Sequence, residues 1–436
     1  MSLPKYTKFL PLVTVAALVL AACTSGSPGE SPGESASESE PAASEAQFPT
    51  GDIAIELWTK EGDPNIEFVQ QLADAYTALH PNVTFDVVNK DVELLREDML
   101  TTALSPEAQP ELLWTVLDHV GPFVEAGVVQ PLDGQFDESV LADAAKGSGT
   151  FTDPATGESH VWVAPISIGN QLMMYYNKSI LAEAPADSDA MIAAAKANTS
   201  GDDYGLVFNQ TESFWLVPFL GGFDGSVFAA DGVTPTLNTP EMEAALEFLY
   251  DLKFTDQVMP SECDYACASD LFTTGSAAMI VNGDWELGNY TTLLGDDLGV
   301  APIPEISATG TFPAPYIGGT YYMVPSAVEG DTLTVVLDFI DFTLAAEQQR
   351  AQVEELKRLP SNAEILADPI VTGDPGLQGA GEAVSKGVPQ PINVEMRCNF
   401  EALNTGVRDM FGGNSDFAGI AEAMQTASEN CIATLG

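Results

Sequence analysis

A chain of 436 residues exceeds what one hydrophobic core usually organises, so its length favours two domains, and 45% apolar residues are enough to fill them. General disorder is excluded on that composition. Fifteen Lys and Arg against 64 Asp and Glu leave a formal charge of -49, with no basic cluster beyond residue 22. Nucleic acids and anionic membrane surfaces recruit proteins by phosphate neutralisation, so neither is a partner of this surface.

In chain order, Lys5 and Lys8 precede an apolar stretch from Phe9 to Leu18, too short to span a bilayer and of the length of a signal-peptide core. It runs into Leu20-Ala21-Ala22-Cys23, which resembles the lipobox of bacterial lipoproteins. That resemblance implies removal of residues 1–22, lipidation of Cys23 and retention on the outer face of the cytoplasmic membrane, extracellular or periplasmic. Residues 23–50, with Ser-Pro-Gly-Glu twice and then Ser, Ala and Glu, cannot bury enough apolar area to offset ordering, and read as a solvated acidic tether.

The fold is expected to begin at Ile53–Trp58, which alternates like a strand. Asp63 and Pro64 stand as N-cap and first residue of a helix carrying Phe68, Leu72, Ala75, Tyr76 and Leu79. Val83–Val88 alternates again, and Leu112–Val116 is an apolar run after Pro110. Strand, helix, strand, helix, strand predicts a parallel sheet flanked by helices. From Trp162 to Lys178 a Pro-anchored extended run reaches Gly169-Asn170 and resumes, a strand with a bend. The rhythm then repeats. Tyr204–Phe208 is strand-like, Thr239-Pro240 opens a helix, a short helix ends near Phe272, and Ala277–Val281 resumes as a strand. Leu298–Pro304 is a second Pro-anchored extended stretch that reads as a return crossing. Asp331 is placed as a helix cap, and two helices near 378–386 and 415–431 close the chain.

Past Cys23 four cysteines remain, and an even number in an exported chain points to disulfides rather than metal ligands. The expected pairs are Cys263–Cys267 and Cys398–Cys431. No metal site is expected, because His80, His119 and His160 are the only histidines.

Several ordered motifs carry a resemblance. They are Pro110–Asp118 followed by Ala126–Leu132, Pro165–Lys178, Phe272–Trp285, Gly318-Gly319-Thr320-Tyr321 and Arg358-Leu359-Pro360. In this order and spacing they resemble the maltose-type extracellular solute-binding proteins (family 1) of carbohydrate ABC importers. The resemblance covers nearly everything from residue 52 onward. It implies an α/β, two-lobed periplasmic-binding-protein-like fold of type II, each lobe a mostly parallel sheet flanked by helices, joined by crossing hinge strands. Residues 51–168 with 305–355 would form lobe 1, and 169–304 with 356–436 lobe 2, hinged at Ile168, Gly169 and Pro302. A sugar or oligosaccharide would lie between the lobes and be delivered to permease subunits by a monomeric receptor that needs no cofactor and catalyses nothing.

Such a site requires carboxylates and amides for hydroxyls, and aromatic rings for C–H faces. Trp285 follows Asn-Gly-Asp284 at the mouth of an apolar strand, where open α/β sheets bind ligands. Glu212 and Trp215 match the family's acidic-plus-aromatic loop, with Phe214 as the alternative stacking ring there, and Asp118 aligns with an acidic binding position. Lys60 and Glu61 follow the first strand, Tyr321 follows the glycine pair, and Arg397 with Phe400 falls in the late loop where relatives place a ring. This chain departs from the maltose-specific pattern at Thr115, His119 and Gly169-Asn170, where a Trp, an Arg and an acidic residue would stand. Each such group contributes about 1–3 kcal/mol when buried, enough to change the ligand.

Two other readings compete. A non-sugar solute such as a polyamine, peptide, metal chelate or glycerol phosphate would keep the fold. An exported glycosidase needs two carboxylates, but with 64 acidic residues such pairs arise by chance; no Gly-x-Ser-x-Gly elbow stands past the tether, where the pattern falls at Gly29–Gly33, and His-Glu-x-x-His does not occur. A structural adhesin does not account for the hinge.

Overall fold

In the computed structural model, which describes residues 48–435, thirteen strands form three sheets. Cys23, the leader and all but the last residues of the tether lie outside the described residues. The strands are β1 (Ile53–Thr59), β2 (Val83–Asn89), β3 (Leu112–Val116), β4 (Thr150–Thr152), β5 (Ser159–Val161), β6 (Ala164–Gly169) and β7 (Leu172–Asn177). They continue as β8 (Tyr204–Val207), β9 (Ala277–Gly283), β10 (Leu298–Ala301), β11 (Tyr316–Met323), β12 (Leu359–Pro360) and β13 (Val388–Pro389). A seven-stranded sheet has the order β12-β6-β11-β3-β1-β2, with β13 beside β11, and a four-stranded sheet has the order β10-β7-β9-β8. The short strands β4 and β5 make a separate hairpin.

Both sheets are mixed, which corrects the expectation of mostly parallel ones. β1 pairs parallel with β2 and β3, and β8 with β9, because helical crossovers link or precede them. β11 pairs antiparallel with β3 and β6 but parallel with β13, β12 pairs antiparallel with β6, and β7 pairs antiparallel with β9 and β10. β6, β7, β10 and β11 are the strands by which the chain changes sheet, and a returning strand enters from the opposite end.

The first change of sheet falls at Asn170-Gln171, between β6 and β7, and the second between Pro302 and Pro315, between β10 and β11. Ile168 and Gly169 are still within β6, opposite Gly319 and Gly318, and Pro302 directly follows β10. Gly169 has φ 141°, and a Cβ there would lie 2.0 Å from Asp284 Oδ2, so only glycine fits. Residues 356–436, expected in the second lobe, begin with Leu359–Pro360 on the edge of the larger sheet, opposite Ile168 and Ser167.

Helix starts differ in detail from the sequence expectation. The first helix runs Ile66–Leu79 behind Asn65, with Asp63-Pro64 in the preceding turn. The Gly330–Leu344 helix is preceded by Glu329, leaving Asp331 in its first turn, where its charge still favours the helix dipole. Thr239 does cap the Pro240–Phe254 helix, accepting from the Met242 N–H at 3.2 Å. Arg397 and Phe400 lie on a 17-residue helix, Glu395–Phe411, rather than in a loop. Its buried Met396, Leu403, Val407 and Met410 recur at helical spacing. It packs against the Phe417–Ile432 helix at Gly406, where a Cβ would meet Met424 Sδ at 2.3 Å.

Both expected disulfides are present, with Cα separations of 5.2 Å for Cys263–Cys267 and 5.5 Å for Cys398–Cys431. In unreduced, denatured full-length protein we expect at most one thiol, that of Cys23, to react with a thiol reagent; two or more would break this pairing. Among the described residues no helix is long and apolar enough to cross a membrane.

Candidate functional site

Ends of parallel strands place the polar residues. Lys60 follows β1, Asp118 follows β3, Glu212 lies beyond β8 and Asp284 follows β9, so the carboxyl ends of strands in both sheets converge on the sheet-changing segments. Two groupings result.

The first is a cavity of about 400 Å³ lined by Glu93, Arg96, Glu97 and Asp118 from the larger sheet's side, and by Glu212, Ser213, Phe214, Arg397, Phe400, Glu401 and Asn404 from the smaller. Five of the sequence candidates meet here: Asp118, Glu212, Phe214, Arg397 and Phe400. The Asn404 side-chain oxygen accepts from the Ser213 N–H at 2.7 Å, which fixes the Glu212–Phe214 turn to the Glu395–Phe411 helix. Burial pushes the Asp118 carboxyl up to about 6, with Glu93 adding and Arg96 opposing. Burial likewise raises Glu212, against the Asn209 amide that donates to it at 2.9 Å. Ser213 is buried and its hydroxyl has no partner within the protein. Arg96 and Arg397 are each tied to a glutamate of their own helix, Glu93 and Glu401. A solute whose hydroxyls donate to carboxylates, and whose apolar faces meet Phe214 and Phe400, suits this lining.

The second grouping is ionic and closed to solvent. Arg358 donates from Nη1 and Nη2 to the two Glu61 oxygens at 2.7 and 2.8 Å, Lys60 Nζ lies 2.8 Å from Glu61 Oε1, and Trp114 Nε1 donates to the same oxygen at 3.2 Å. Burial alone would raise the Glu61 carboxyl, but Arg358 and Lys60 hold it well below the usual carboxylate range. Burial pushes the Lys60 ammonium down, while Glu61 opposes the shift. Asp284 approaches from the smaller sheet. Its Oδ2 accepts from the Asn170 N–H at 3.1 Å, and burial lifts its carboxyl to about 6 against the pull of Arg358 and Lys60.

The remaining candidates separate. Glu61 was expected on ligand hydroxyls, but both its oxygens are committed inside the protein. Trp215 is buried, donating from Nε1 to the Val281 carbonyl at 2.8 Å. Tyr321 is buried in the core with Trp58, Leu113 and Met323. Apolar strand neighbours draw both rings inward. Trp285 stays partly exposed, 6.3 Å from Phe214 between ring centroids, with Nε1 donating to the Tyr265 hydroxyl at 2.8 Å. His119 is buried beside Thr115, 2.7 Å from its hydroxyl, and burial lowers its pKa to about 3, so it is neutral. Sequence reasoning missed Glu93, Arg96 and Glu97, whose i, i+3, i+4 spacing puts three charges on one helix face. It also gave Arg358 no role, although a lone basic residue before Leu-Pro was visible. Among the described residues no cluster of His, Cys, Asp or Glu could hold a metal ion.

A cavity bounded by elements of two open sheets, next to the points where the chain passes between them, defines a two-lobed solute-binding protein. The model of the family described as bacterial extracellular solute-binding protein matches residues 71–379, and the chain belongs to that family. It is a family of extracellular binding proteins rather than of enzymes, which places this protein outside the cytoplasm. The chain is 26% identical to the maltotriose-binding protein of Pyrococcus abyssi over 357 residues, 81% of this chain and 76% of that one. It is 26% identical to a maltooligosaccharide ABC transporter solute-binding lipoprotein of Streptococcus pneumoniae over 373 residues, 83% of this chain and 81% of the relative. Among solved structures, a maltose/maltodextrin-binding domain from Bdellovibrio bacteriovorus bound to maltotriose superposes with a TM-score of 0.81 at 28% identity, covering 87% of this chain and all of that one.

Proposed function

We propose that this protein captures a maltooligosaccharide-class sugar in the cavity lined by Asp118, Glu212, Phe214 and Phe400 and delivers it to the permease of an ABC importer. The observation that carries the reading is that carboxylates from both sheets, with the Phe214 and Phe400 rings on the smaller sheet's side, face one cavity. Contacts to both sides stabilise the closed form by their differential affinity, and the permease reads closure. Trp285 lies against Phe214 beside this cavity, and Asp284 holds the Asn170 turn. Ile168, Gly169 and Pro302 act as the hinge between the lobe built on the larger sheet, which also takes Leu359–Pro360 and Val388–Pro389, and the lobe built on the smaller. Lipidation of Cys23 holds the monomeric receptor at the membrane.

A thermal-shift screen with maltose, maltotriose and maltotetraose tests this. Ligand at 100 times its Kd adds about 2.7 kcal/mol of stability and raises the melting temperature. Spermidine belongs in the same screen, because the carboxylates and rings would also hold an amine. A shift with spermidine and none with any sugar overturns the reading.

A further inference from the structure

We propose that Tyr265, in a loop closed by the Cys263–Cys267 disulfide, is a positioning residue that fixes the Trp285 ring for sugar binding. This rests on the function proposed above and adds to it a residue outside the cavity lining.

The Tyr265 hydroxyl has one hydrogen, and it is donated to Glu286 Oε1. A lone pair is therefore left to accept the Trp285 Nε1–H at 2.8 Å. An indole has a single polar hydrogen, so this contact sets the ring's rotation. Gly283 removes the alternative constraint, since a Cβ there would lie 2.2 Å from the indole ring. Tyr265 also packs edge-on to the buried Trp215 at 6.0 Å, and Trp215 meets Phe214 of the cavity at the same separation.

The loop itself is bolted down. The disulfide closes a five-residue segment, Cys263 to Cys267, and Asp264 Oδ1 accepts from the Cys267 N–H at 2.9 Å at the start of the Tyr265–Thr273 helix. Gln210 donates from its backbone to the Cys263 carbonyl at 2.9 Å and from its side chain to the Pro260 carbonyl at 3.1 Å. One short cross-linked segment thus holds both the Trp285 ring and the strand exit that leads to Glu212 and Phe214. An oxidised export compartment keeps that segment closed.

The test is calorimetric titration with maltotriose of the wild type, Tyr265→Phe, Glu286→Gln, the Cys263→Ser/Cys267→Ser pair and Trp285→Ala. Tryptophan emission is recorded for each. Tyr265→Phe keeps the ring and its packing and removes only the hydroxyl, which accepts from Trp285 and donates to Glu286. We expect at least fivefold weaker binding for Tyr265→Phe and for the serine pair, with red-shifted emission. Their combination should be less than additive, since they act through one ring. Glu286→Gln should weaken binding in the same direction, by freeing the hydroxyl to turn. Wild-type affinity in Tyr265→Phe, with Trp285→Ala still weakened, overturns this proposal and leaves the sugar reading standing. No binding of maltotriose to the wild type sinks both.

Discussion

Replacing Glu61 by Gln should destabilise the protein by about 3–5 kcal/mol, measured by urea unfolding. Glu61 is 2% exposed and receives two bonds from Arg358, one from the Trp114 indole, and the Lys60 ammonium at 2.8 Å. A neutral amide of the same shape cannot offset two buried cations, and its NH₂ would face the guanidinium. Most of the loss comes from stranding Arg358 rather than from the net worth of the pair. Pairing Glu61→Gln with Arg358→Met should therefore recover a large part of it, and the coupling in this double-mutant cycle measures the interaction. If the single variant stays within 1 kcal/mol of wild type, the cluster is wetter than the geometry shows. Salt gives a second check: unlike surface pairs, this one should keep its contribution at high ionic strength.

Asp284→Asn should do the reverse and stabilise the protein at pH 7.5. Burial lifts the Asp284 carboxyl from its ordinary 3.8 to about 6, so its charged form is disfavoured in the folded state. Between those two values the folded chain binds a proton that the unfolded chain does not. Stability contributed by this group therefore rises as pH falls from 7 to 4, by at most about 3 kcal/mol. Glu61 acts in the opposite sense, because its pKa is lowered, and its contribution is lost below the usual carboxylate range. Asp118, also near 6, adds to the Asp284 trend. Comparing wild type with Asp284→Asn across pH 4–8 isolates the one carboxylate. An Asn side-chain oxygen can still accept from the Asn170 N–H, so the turn is kept. The variant should show a flatter profile and a higher melting temperature at pH 7.5. A lower one would mean that Arg358 and Lys60 outweigh desolvation. Wild-type protein tolerates this cost next to its sheet-changing turn, where a binding protein needs polarity rather than stability.

Local chemistry was enough to read β1 to β3, β6 to β10 and the capped helix at Thr239, whose causes, alternation and a Thr-Pro start, lie within a few residues. The disulfides were read from an even cysteine count in an exported chain, and β4, β5, β11, β12 and β13 were not read as strands. Motif order carried the family, because Phe272–Trp285 and the Pro165–Lys178 stretch keep their spacing whatever the rest of the chain does. What the sequence could not decide was direction and company. Whether β6 or β11 pairs parallel depends on the end from which the chain re-enters a sheet, which no residue encodes alone. Trp215 and Trp285 are equally apolar as letters. One is buried with its indole N–H on the Val281 carbonyl, and the other stays partly exposed with its N–H on the Tyr265 hydroxyl. Glu61 meets Arg358 across 297 positions of sequence, and only the folded chain brings that guanidinium to it, turning a ligand candidate into an internal counter-ion.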